Sequence, residues 1–533
     1  MKIVNVMNFV RAVEPREYDI GLLLDFYKDS GVIDPNAGEG LEGAEREAAR
    51  INEGRKALLE TTRRQLQVAI ETEVPTTFLL QYDALCDEKY VQMLKNAPDY
   101  IEVGLWYEIV KEMADDAGLE YKSKMGWTWD WHIEPGFSMS YVQGDREKLA
   151  ATAMRKFKEV FGHYPKTVGS WLIDTYTINY MADNYELDAF CICRDEVNTD
   201  AYTLIGGYFN QGYYPSRNNM FTPARSEKMR VKVPVLRLLG PDPLHNYDSF
   251  KYVSHENRDI PVFTMECATD REPDYKFVDW YYKNTFTTED MGFSYTQIGQ
   301  ENSFGMFDIP EFVRMRIERA KQIPGVEFMT MGDTGRAIKE KYGFKTPVSA
   351  NVVLDNWDTP DLQCAYYNCE NYVANLFRCD SKLFIRALYL FDEKVYDHYY
   401  EKTCKTFDAV YENQPVVDTV RDKSGVDTAW YIDCEAKGFV TKKLSDTELK
   451  VTSGNARVLF SEEGIEICGS EGLSFNATAH VADMTVGEGS LEFRYANRAY
   501  SVKIDTGMLS FDGTIVKITP EDGKIRLSFQ VEK

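Results

Sequence analysis

Short apolar runs alternate with charged helical segments over the first two thirds of the chain. The runs lie at residues 2–10, 75–80, 100–105, 167–173, 188–193, 231–239, 260–265, 292–298 and 326–331. Between them lie helical patterns such as 41–71, where Glu and Arg recur four residues apart. Strands that alternate with helices predict an α/β fold, with a mostly parallel sheet closed as a (β/α) barrel of seven or eight strands. We assign this barrel to residues 1–348 and expect it to be the catalytic domain.

The pattern changes at about residue 349. Short alternating strands follow one another, separated by turns rich in Gly, Asp and Asn. The pairs Asp512–Gly513 and Asp522–Gly523 are typical hairpin corners. Residues 349–533 are therefore predicted to form a β-rich, sandwich-like C-terminal region, which could bind glycan or only support the barrel.

Acidic residues follow several of the predicted barrel strands. They are Asp83, Glu108, Asp174, Asp195, Glu266, Glu301 and Asp333. The carboxyl ends of barrel strands share one rim, where such enzymes place their active sites. Glycoside hydrolysis needs two carboxyl groups flanking one bond, about 5–5.5 Å apart for retention and about 6.5–9.5 Å apart for inversion. The acids therefore indicate carbohydrate chemistry, although each could instead cap a helix or pair with arginine.

Asp174 and Glu301 form the predicted catalytic pair, with Asp174 as nucleophile or base and Glu301 as general acid. Asp174 follows Trp171, which could stack on a sugar ring, and Glu301 lies in the segment GQENSFG. We expect the remaining acids Asp83, Glu108, Asp195 and Glu266 to tune the pair or bind substrate.

Aromatic and amide side chains near the strand ends are the predicted substrate contacts. They are Asn8, Arg11, Trp106, His132, Trp171, Arg194, Tyr213, Tyr214, Asn219 and Gln300. Trp127, Trp129 and Trp131 alternate in the segment GWTWDWHIEP, which fits either a sugar platform or a plug of core aromatics.

Charge and cysteine usage narrow the choice of partner and compartment. The formal net charge is −24, which opposes binding to nucleic acid and to anionic membranes. The amino-terminal segment MKIVNVMNFVRAVEPRE lacks the features of a signal peptide, and no apolar run reaches a membrane span. Ten Cys without CxxC pairs are most simply reduced thiols. These features predict a cytoplasmic protein with an oligosaccharide substrate, and they leave a homo-oligomer open.

Other catalytic motifs are missing from the sequence. Its six His have no HxH, HxxH or HxxxH spacing, and neither GxSxG nor GxxxxGK[ST] occurs. We therefore predict no cofactor and no metal site, although Asp with one or two distant His would leave little trace in the sequence.

Three segments resemble the polysaccharide-deacetylase superfamily in layout. They are VPTTFLLQYDAL, APDYIEVGLWYEIV and FGHYPKTVGSW. The resemblance implies membership of the glycoside hydrolase/deacetylase class of seven-stranded barrels, as an uncharacterised bacterial branch. This class also includes retaining α-mannosidases and α-glucan enzymes with strand-end carboxylates and a β-rich C-terminal domain.

The metal motif of that superfamily is not conserved in this sequence. Asn8 to Arg11 stand where the family has paired Asp, and Trp106 and Val110 stand where it has paired His. The resemblance therefore implies a carbohydrate-active hydrolase without the family's metal ligands. A glycoside hydrolase is our main hypothesis. A metal-dependent esterase or deacetylase with atypical ligands and a non-catalytic glycan-binding protein remain alternatives.

Overall fold

A computed structural model gives the fold of the chain. It describes residues 1–199, 202–246, 264–266, 275–286, 291–303, 310–357, 361–406, 409–411, 413–421, 427–478, 480–496 and 498–530. Within these ranges, no helix combines the length and the apolar character needed to cross a bilayer.

The first part of the chain alternates strands and helices, as its sequence pattern predicts. Its strands are β1 (Lys2–Val10), β2 (Thr76–Leu80), β3 (Ile101–Trp106), β4 (Thr167–Gly169), β5 (Ala189–Ile192), β6 (Glu196–Thr199), β7 (Tyr202–Leu204), β8 (Gly212–Tyr213), β9 (Val235–Arg237), β10 (Ser294–Glu301) and β11 (Val326–Phe328). Its helices are α1 (Glu17–Tyr27), α2 (Gly43–Thr72), α3 (Tyr82–Cys86), α4 (Glu88–Lys95), α5 (Lys111–Asp116), α6 (Ile133–Gly136), α7 (Gln143–Phe161), α8 (Thr175–Asn184), α9 (Tyr275–Phe286), α10 (Pro310–Ala320) and α11 (Met331–Tyr342).

The barrel sheet runs in the order β10–β1–β2–β3–β4–β5–β9, with its neighbours parallel, and β8 adds antiparallel to β9. Residues 264–266 lie between the two ends of this order. The Met265 amide donates to Gly240 O at 3.1 Å, and the Gly299 amide donates to Met265 O at 3.4 Å. The sheet is therefore a nearly closed barrel, which confirms the predicted fold class.

The amino end of the barrel is closed by helix α11. Strand β11 pairs with the first residues of β1, off the main order of the sheet. The amide of Met331 donates to Thr77 Oγ1 at 2.9 Å, and that of Gly332 donates to Glu102 Oε2 at 3.1 Å. Amides at a helix N-terminus favour a carboxylate, so half-buried Glu102 helps to hold α11 against this end. The opposite, carboxyl end is left for the site.

The C-terminal region consists mainly of antiparallel strands, although the short strand Ala409–Val410 pairs parallel with β7. They are β12 (Ser349–Val353), β13 (Leu362–Asn368), β14 (Tyr372–Cys379), β15 (Lys382–Leu390), β16 (Ala409–Val410), β17 (Gln414–Asp418), β18 (Trp430–Ile432), β19 (Val440–Lys443), β20 (Leu449–Ser453), β21 (Ala456–Ser461), β22 (Gly464–Cys468), β23 (Leu473–Asn476), β24 (Asp483–Val486), β25 (Ser490–Tyr495), β26 (Arg498–Thr506), β27 (Met508–Phe511), β28 (Ile515–Thr519) and β29 (Lys524–Gln530).

Most of these strands form two sheets. One follows the order β12–β13–β14–β15–β18–β23–β28–β27, and the other follows β19–β20–β21–β22–β29–β26–β25–β24. Along β13, Cys364 and Tyr366 belong to the core shared with the barrel, whereas Ala365 and Tyr367 belong to the core between the two sheets. This period-2 alternation places the first sheet between the barrel and the second sheet. The predicted sandwich is confirmed.

Several predicted segments differ in extent from the observed elements. The strand at 2–10 is confirmed as β1, whereas the strand expected at 167–173 ends at Gly169 and the run at 231–239 contains only β9. Of the expected strand at 260–265, only residues 264 and 265 lie inside the described ranges. The turn predicted at Asp522–Gly523 is confirmed, because both residues have positive φ, 50° and 75°, as a type I′ turn requires.

Candidate active site at the carboxyl rim

Arg11 lies at the centre of the carboxyl rim, directly after β1. Its guanidinium binds Glu108 in two-pronged fashion, with Nε 3.2 Å from Oε2 and Nη2 3.1 Å from Oε1. Its Nη1 donates to Glu301 Oε2 at 2.5 Å and to Ser303 Oγ at 3.1 Å. All three ionisable side chains are almost fully buried. The arginine that follows β1 therefore joins carboxylates at the ends of β3 and β10.

The register of the sheet explains this convergence. Phe9 is opposite Glu301 in the parallel pair of β1 and β10, so the chain after β1 passes beside the end of β10. Asn302 secures the crossing, since its Oδ1 accepts from the Arg11 amide at 3.0 Å and its Nδ2 donates to Arg11 O at 2.8 Å.

Burial sets the electrostatics of Glu301. It raises the pKa of the Glu301 carboxyl, the Arg11 guanidinium opposes this rise, and the Glu108 carboxylate adds to it. Glu108 also accepts from Gln81 Nε2 at 2.6 Å and from Trp129 Nε1 at 3.1 Å. Glu108 is thus fixed by several donors, whereas the contacts of Glu301 come from Arg11 and Ser303.

Aromatic rings lie on two sides of the Arg11 ion pairs, one set in the barrel interior and the other on the outer side of the rim. Inside the barrel, the Phe9 ring lies 4.4 Å from Trp106 and 5.5 Å from Trp171, centroid to centroid. On the other side, the guanidinium carbon of Arg11 lies 4.3 Å from the ring centroid of Trp129, in a cation–π contact. The tryptophan segment therefore covers the ion pairs rather than forming a separate core.

The same segment continues outward as a stack of half-exposed rings. Trp131 stacks on Trp127 at 5.1 Å and on His132 at 5.2 Å. The His132 Nδ1 lies 2.6 Å from Asp130 Oδ1, and Ser123 Oγ donates to Asp130 Oδ2 at 2.9 Å. Asp130 thus fixes the orientation of the imidazole. The predicted substrate contact His132 lies on this outer shelf.

Asp83 holds the loop that follows β1. Its Oδ2 accepts from the amides of Ala12 and Val13, both at 3.0 Å. Burial raises the pKa of Asp83 to about 7, with its amide donors opposing the rise and Glu112 adding to it. Asp83 also lines a cavity of about 220 Å³ beside this loop, together with Arg55, Cys86 and Glu112. It therefore supports the position of Arg11.

Asp174 lies in a separate network. It is the N-cap of α8, and its two oxygens accept from Thr177 N at 3.1 Å, Thr177 Oγ1 at 2.7 Å, Ser138 Oγ at 2.5 Å and Arg146 Nη1 at 2.8 Å. The residue is 1% exposed. The two members of the predicted catalytic pair thus lie in different hydrogen-bond networks. In its own network, Asp174 caps helix α8 and forms an ion pair with Arg146.

Strand alternation separates other predicted contacts from the centre. Because side chains alternate along a strand, Asn8 and Gln300 point away from the face that carries Phe9 and Glu301. Gln300 Nε2 lies 3.5 Å from Asn8 Oδ1. This pair belongs to the layer between sheet and helices.

The remaining predicted residues lie elsewhere around the barrel. Asp195 is buried against Arg237, with Oδ1 2.8 Å from Nη2, and burial raises its pKa despite that partner. Tyr213 and Tyr214 donate to the carbonyls of Met220 and Gly343 at 2.7 and 2.9 Å.

Four further predicted residues are placed as follows: buried Asn219 accepts from the Phe221 amide, half-buried Arg194 follows β5, Glu266 bridges to Gly299, and Asp333 lies in the first turn of α11.

Gln81, Ser303 and Glu14 were not predicted as site residues. Gln81 directly follows β2 and Ser303 comes two residues after β10, so their strand-end positions were a usable signal. Glu14 comes four residues after β1, and its segment RAVEPRE gives no motif.

The residues present do not fit the metal site of the deacetylases that the sequence resembles. The guanidinium of Arg11 lies between Glu108 and Glu301, where its positive charge already neutralises carboxylates. Across the described ranges, no group of three or more His, Cys, Asp or Glu is arranged to hold a metal ion. We therefore derive no step that uses a metal.

Comparison with known proteins gives structural likenesses only. No protein-family model matches the sequence, and no curated protein matches it. A solved protein described as a glycoside hydrolase/deacetylase from Parabacteroides distasonis is 12% identical, with 78% of this chain and 88% of that chain covered and a TM-score of 0.49.

Two further solved structures are similar over 64% of this chain. One is described as a polysaccharide deacetylase from Mycobacterium smegmatis, with 11% identity, 90% of that chain covered and a TM-score of 0.35. The other is Puue allantoinase, with 12% identity, 92% of that chain covered and a TM-score of 0.36. Likenesses at this level say nothing about the reaction, which depends on the side chains at the rim.

Proposed function

We propose that this protein is a glycoside hydrolase that cleaves an oligosaccharide at the carboxyl rim of its barrel. The observation that carries the proposal is the convergence of Glu108 and Glu301, from two strand ends, on the guanidinium of Arg11. Glycoside hydrolysis uses two carboxyl groups, one of them as a base that activates water, and Glu301 is the candidate for that base.

The aromatic surroundings support a sugar as the substrate. The half-exposed rings of Trp127 and Trp131 stack on each other and lead away from the centre, whereas Trp106 is fully buried beneath it. Flat, amphipathic rings suit the apolar faces of sugar rings, and the net charge of −24 disfavours polyanionic substrates.

Glu301 is the proposed catalytic carboxylate. The ion pair with Arg11 favours its ionised form, so the proposal makes it the base that activates water rather than the acid predicted from sequence. Its burial-raised pKa makes it a stronger base. Glu108, held by Gln81 and Trp129, would fix Arg11 in place. Asp174 has no step in this proposal.

The test is product analysis on a panel of oligosaccharides and acetylated glycans, with and without a chelator. Release of reducing sugar that survives the chelator supports the proposal. Acetate release abolished by the chelator would instead favour the metal-dependent esterase, and glycan binding without turnover would favour the binding protein.

Matched variants then locate the reaction. Glu301→Gln is expected to lower kcat by about 10²–10⁴. The control is Glu102→Gln, which changes a half-buried carboxyl group of raised pKa at the opposite end of the barrel. Equal losses in both variants, or undiminished turnover in Glu301→Gln, would refute the assignment.

A further inference from the structure

Glu14 is a buried carboxyl group on the loop that leads from Arg11 to α1. The residue is 2% exposed, and its Oε2 has no hydrogen-bond partner among the described residues. An unsatisfied buried oxygen of this kind costs free energy, so a native protein keeps it only where a partner or a function compensates.

The charged groups that the structure describes near Glu14 contact its Oε1 and not its Oε2. Its Oε1 lies 3.4 Å from the Arg16 amide and 3.6 Å from Arg16 Nε. The Arg16 guanidinium, however, also pairs with Asp19, and its carbon lies 4.5 Å from the Trp131 ring centroid. Asp19 thus shares the Arg16 cation with Glu14 and adds a second negative charge.

This environment favours the protonated form of Glu14. Burial raises its pKa to about 8, and the Asp19 carboxylate adds to the rise, whereas Arg16 and Arg11 oppose it. A carboxyl group that keeps its proton at neutral pH can donate it to a substrate.

The fold brings this group to the proposed site. Glu14 comes three residues after Arg11, on the loop whose Ala12 and Val13 amides are bound by Asp83 at this rim. Strands β1 and β10 end side by side, and Glu14 follows β1 by four residues while Glu301 ends β10. The outer ring Trp131 is linked to Glu14 through Arg16. Glu14 therefore belongs to the same rim, next to the rings expected to hold sugar.

We propose that Glu14 is the general acid of this site and donates its proton to the oxygen of the departing sugar. The inference rests on the proposed glycoside hydrolase function. The bond between the anomeric carbon and the glycosidic oxygen breaks, and its electron pair goes to that oxygen, which takes the proton of Glu14. Water adds to the anomeric carbon and gives a proton to Glu301, and solvent restores both carboxyl groups.

The experiment compares two substrates of different leaving group. Both substrates carry the sugar that the wild type cleaves. The leaving oxygen of the 2,4-dinitrophenyl glycoside departs with little help from a proton, whereas that of the methyl glycoside must be protonated to depart. Glu14→Gln, which keeps the shape of the side chain, is expected to lose about 10²–10⁴ in kcat on the methyl glycoside and less than about tenfold on the dinitrophenyl glycoside. The fall of kcat at high pH, the basic limb of the pH profile, reports loss of the Glu14 proton in the wild type and should also be absent from this variant.

Asp19→Asn is the second variant. It keeps the Glu14 proton donor but removes the charge that helps to raise its pKa, so the basic limb should move to lower pH. Equal losses of Glu14→Gln on both substrates, or no loss on either, would overturn the inference while leaving the proposed function standing. A folded wild type that releases no sugar from the oligosaccharide panel would refute the proposed function, and the inference with it.

Discussion

Asp174 and Arg146 form a buried ion pair that joins the barrel rim to the C-terminal region. Arg146 Nη1 lies 2.8 Å from Asp174 Oδ1 and 2.8 Å from Tyr399 O, and Nη2 lies 3.1 Å from Lys402 O. The neighbouring Thr175 Oγ1 donates to Asp397 Oδ2 at 2.8 Å. The segment after β15 is thereby fastened to the start of α8.

Asp174→Asn is therefore expected to reduce stability more than catalysis. Breaking one side of a buried ion pair costs about 3–5 kcal/mol, because the remaining charge is left without its partner. Urea unfolding should show this loss, and kcat of the folded fraction should stay within about tenfold of wild type.

Asp333→Asn is the matched control, since that Asp also lies at a helix start but pairs with exposed Arg336, and its loss should stay below about 1 kcal/mol. A fall in kcat of Asp174→Asn comparable to that of Glu301→Gln, without loss of stability, would restore Asp174 as a catalytic residue.

Arg11 should affect both stability and activity. Arg11→Met leaves the Glu108 and Glu301 carboxyls buried without their cation, so we expect a loss of roughly 3–5 kcal/mol together with loss of turnover. Arg11→Lys keeps the charge but not the two-pronged geometry, and it should recover only part of either property.

A compensated variant separates the two effects of Arg11. Adding Glu108→Gln and Glu301→Gln to Arg11→Met removes the stranded charges and should restore much of the stability but none of the activity. If the triple variant is no more stable than Arg11→Met alone, as measured by urea unfolding, the ion pairs are not what holds this centre.

The fold class could be predicted from the sequence because the spacing of apolar and charged residues along the chain reflects which side chains are buried. Strand β1 is apolar over most of its length and helix α2 carries paired charges, and both have the expected extents. The acids at the strand ends were found for the same reason, since a polar residue after a buried strand marks the rim.

The roles of these acids were harder to predict, because they depend on partners distant in sequence. Asp174 is separated from Tyr399 and Lys402, the carbonyls that share Arg146, by more than half of the barrel and part of the C-terminal region. Tyr213 and Tyr214 were predicted as substrate contacts but are buried. Segments later in the chain cover this loop, since Phe344 packs edge-on against the Tyr214 ring and Tyr366 of β13 stacks on Phe209. A local pattern does not show that a later domain covers a loop.

Asp83 should make the stability of the protein depend on pH. Its folded pKa of about 7 is above the ordinary value of about 3.9, so the folded state holds a proton that the unfolded state releases. Relative to Asp83→Asn, the wild type is then most stable below about pH 4 and loses that advantage as the pH rises to about 7. The change is at most roughly 4 kcal/mol.

Urea unfolding of both proteins between pH 4 and 8 measures this difference. Glu112→Gln offers an internal check, because removing a carboxylate that raises the Asp83 pKa should move the midpoint to lower pH. A difference between wild type and Asp83→Asn that does not change with pH would show that Asp83 keeps an ordinary pKa.

Gly169 should be intolerant of even one added methyl group. It ends β4 inside the barrel, where a Cβ would lie 2.4 Å from Cys191 Sγ and 2.5 Å from Leu79 Cδ1. The neighbouring β5 and β2 hold both atoms in place, so Gly169→Ala is expected to cost about 1–3 kcal/mol through overpacking.

The double variant Gly169→Ala with Cys191→Ala removes the closer clash. It should unfold at a higher urea concentration than the sum of the two single changes predicts. Because Trp106 packs beside the same position, with its Cε3 3.5 Å from the added Cβ, the single variant should also disturb the aromatic floor below Arg11 and lower turnover. Strict additivity of the two changes would mean that the barrel interior relaxes around the new methyl group.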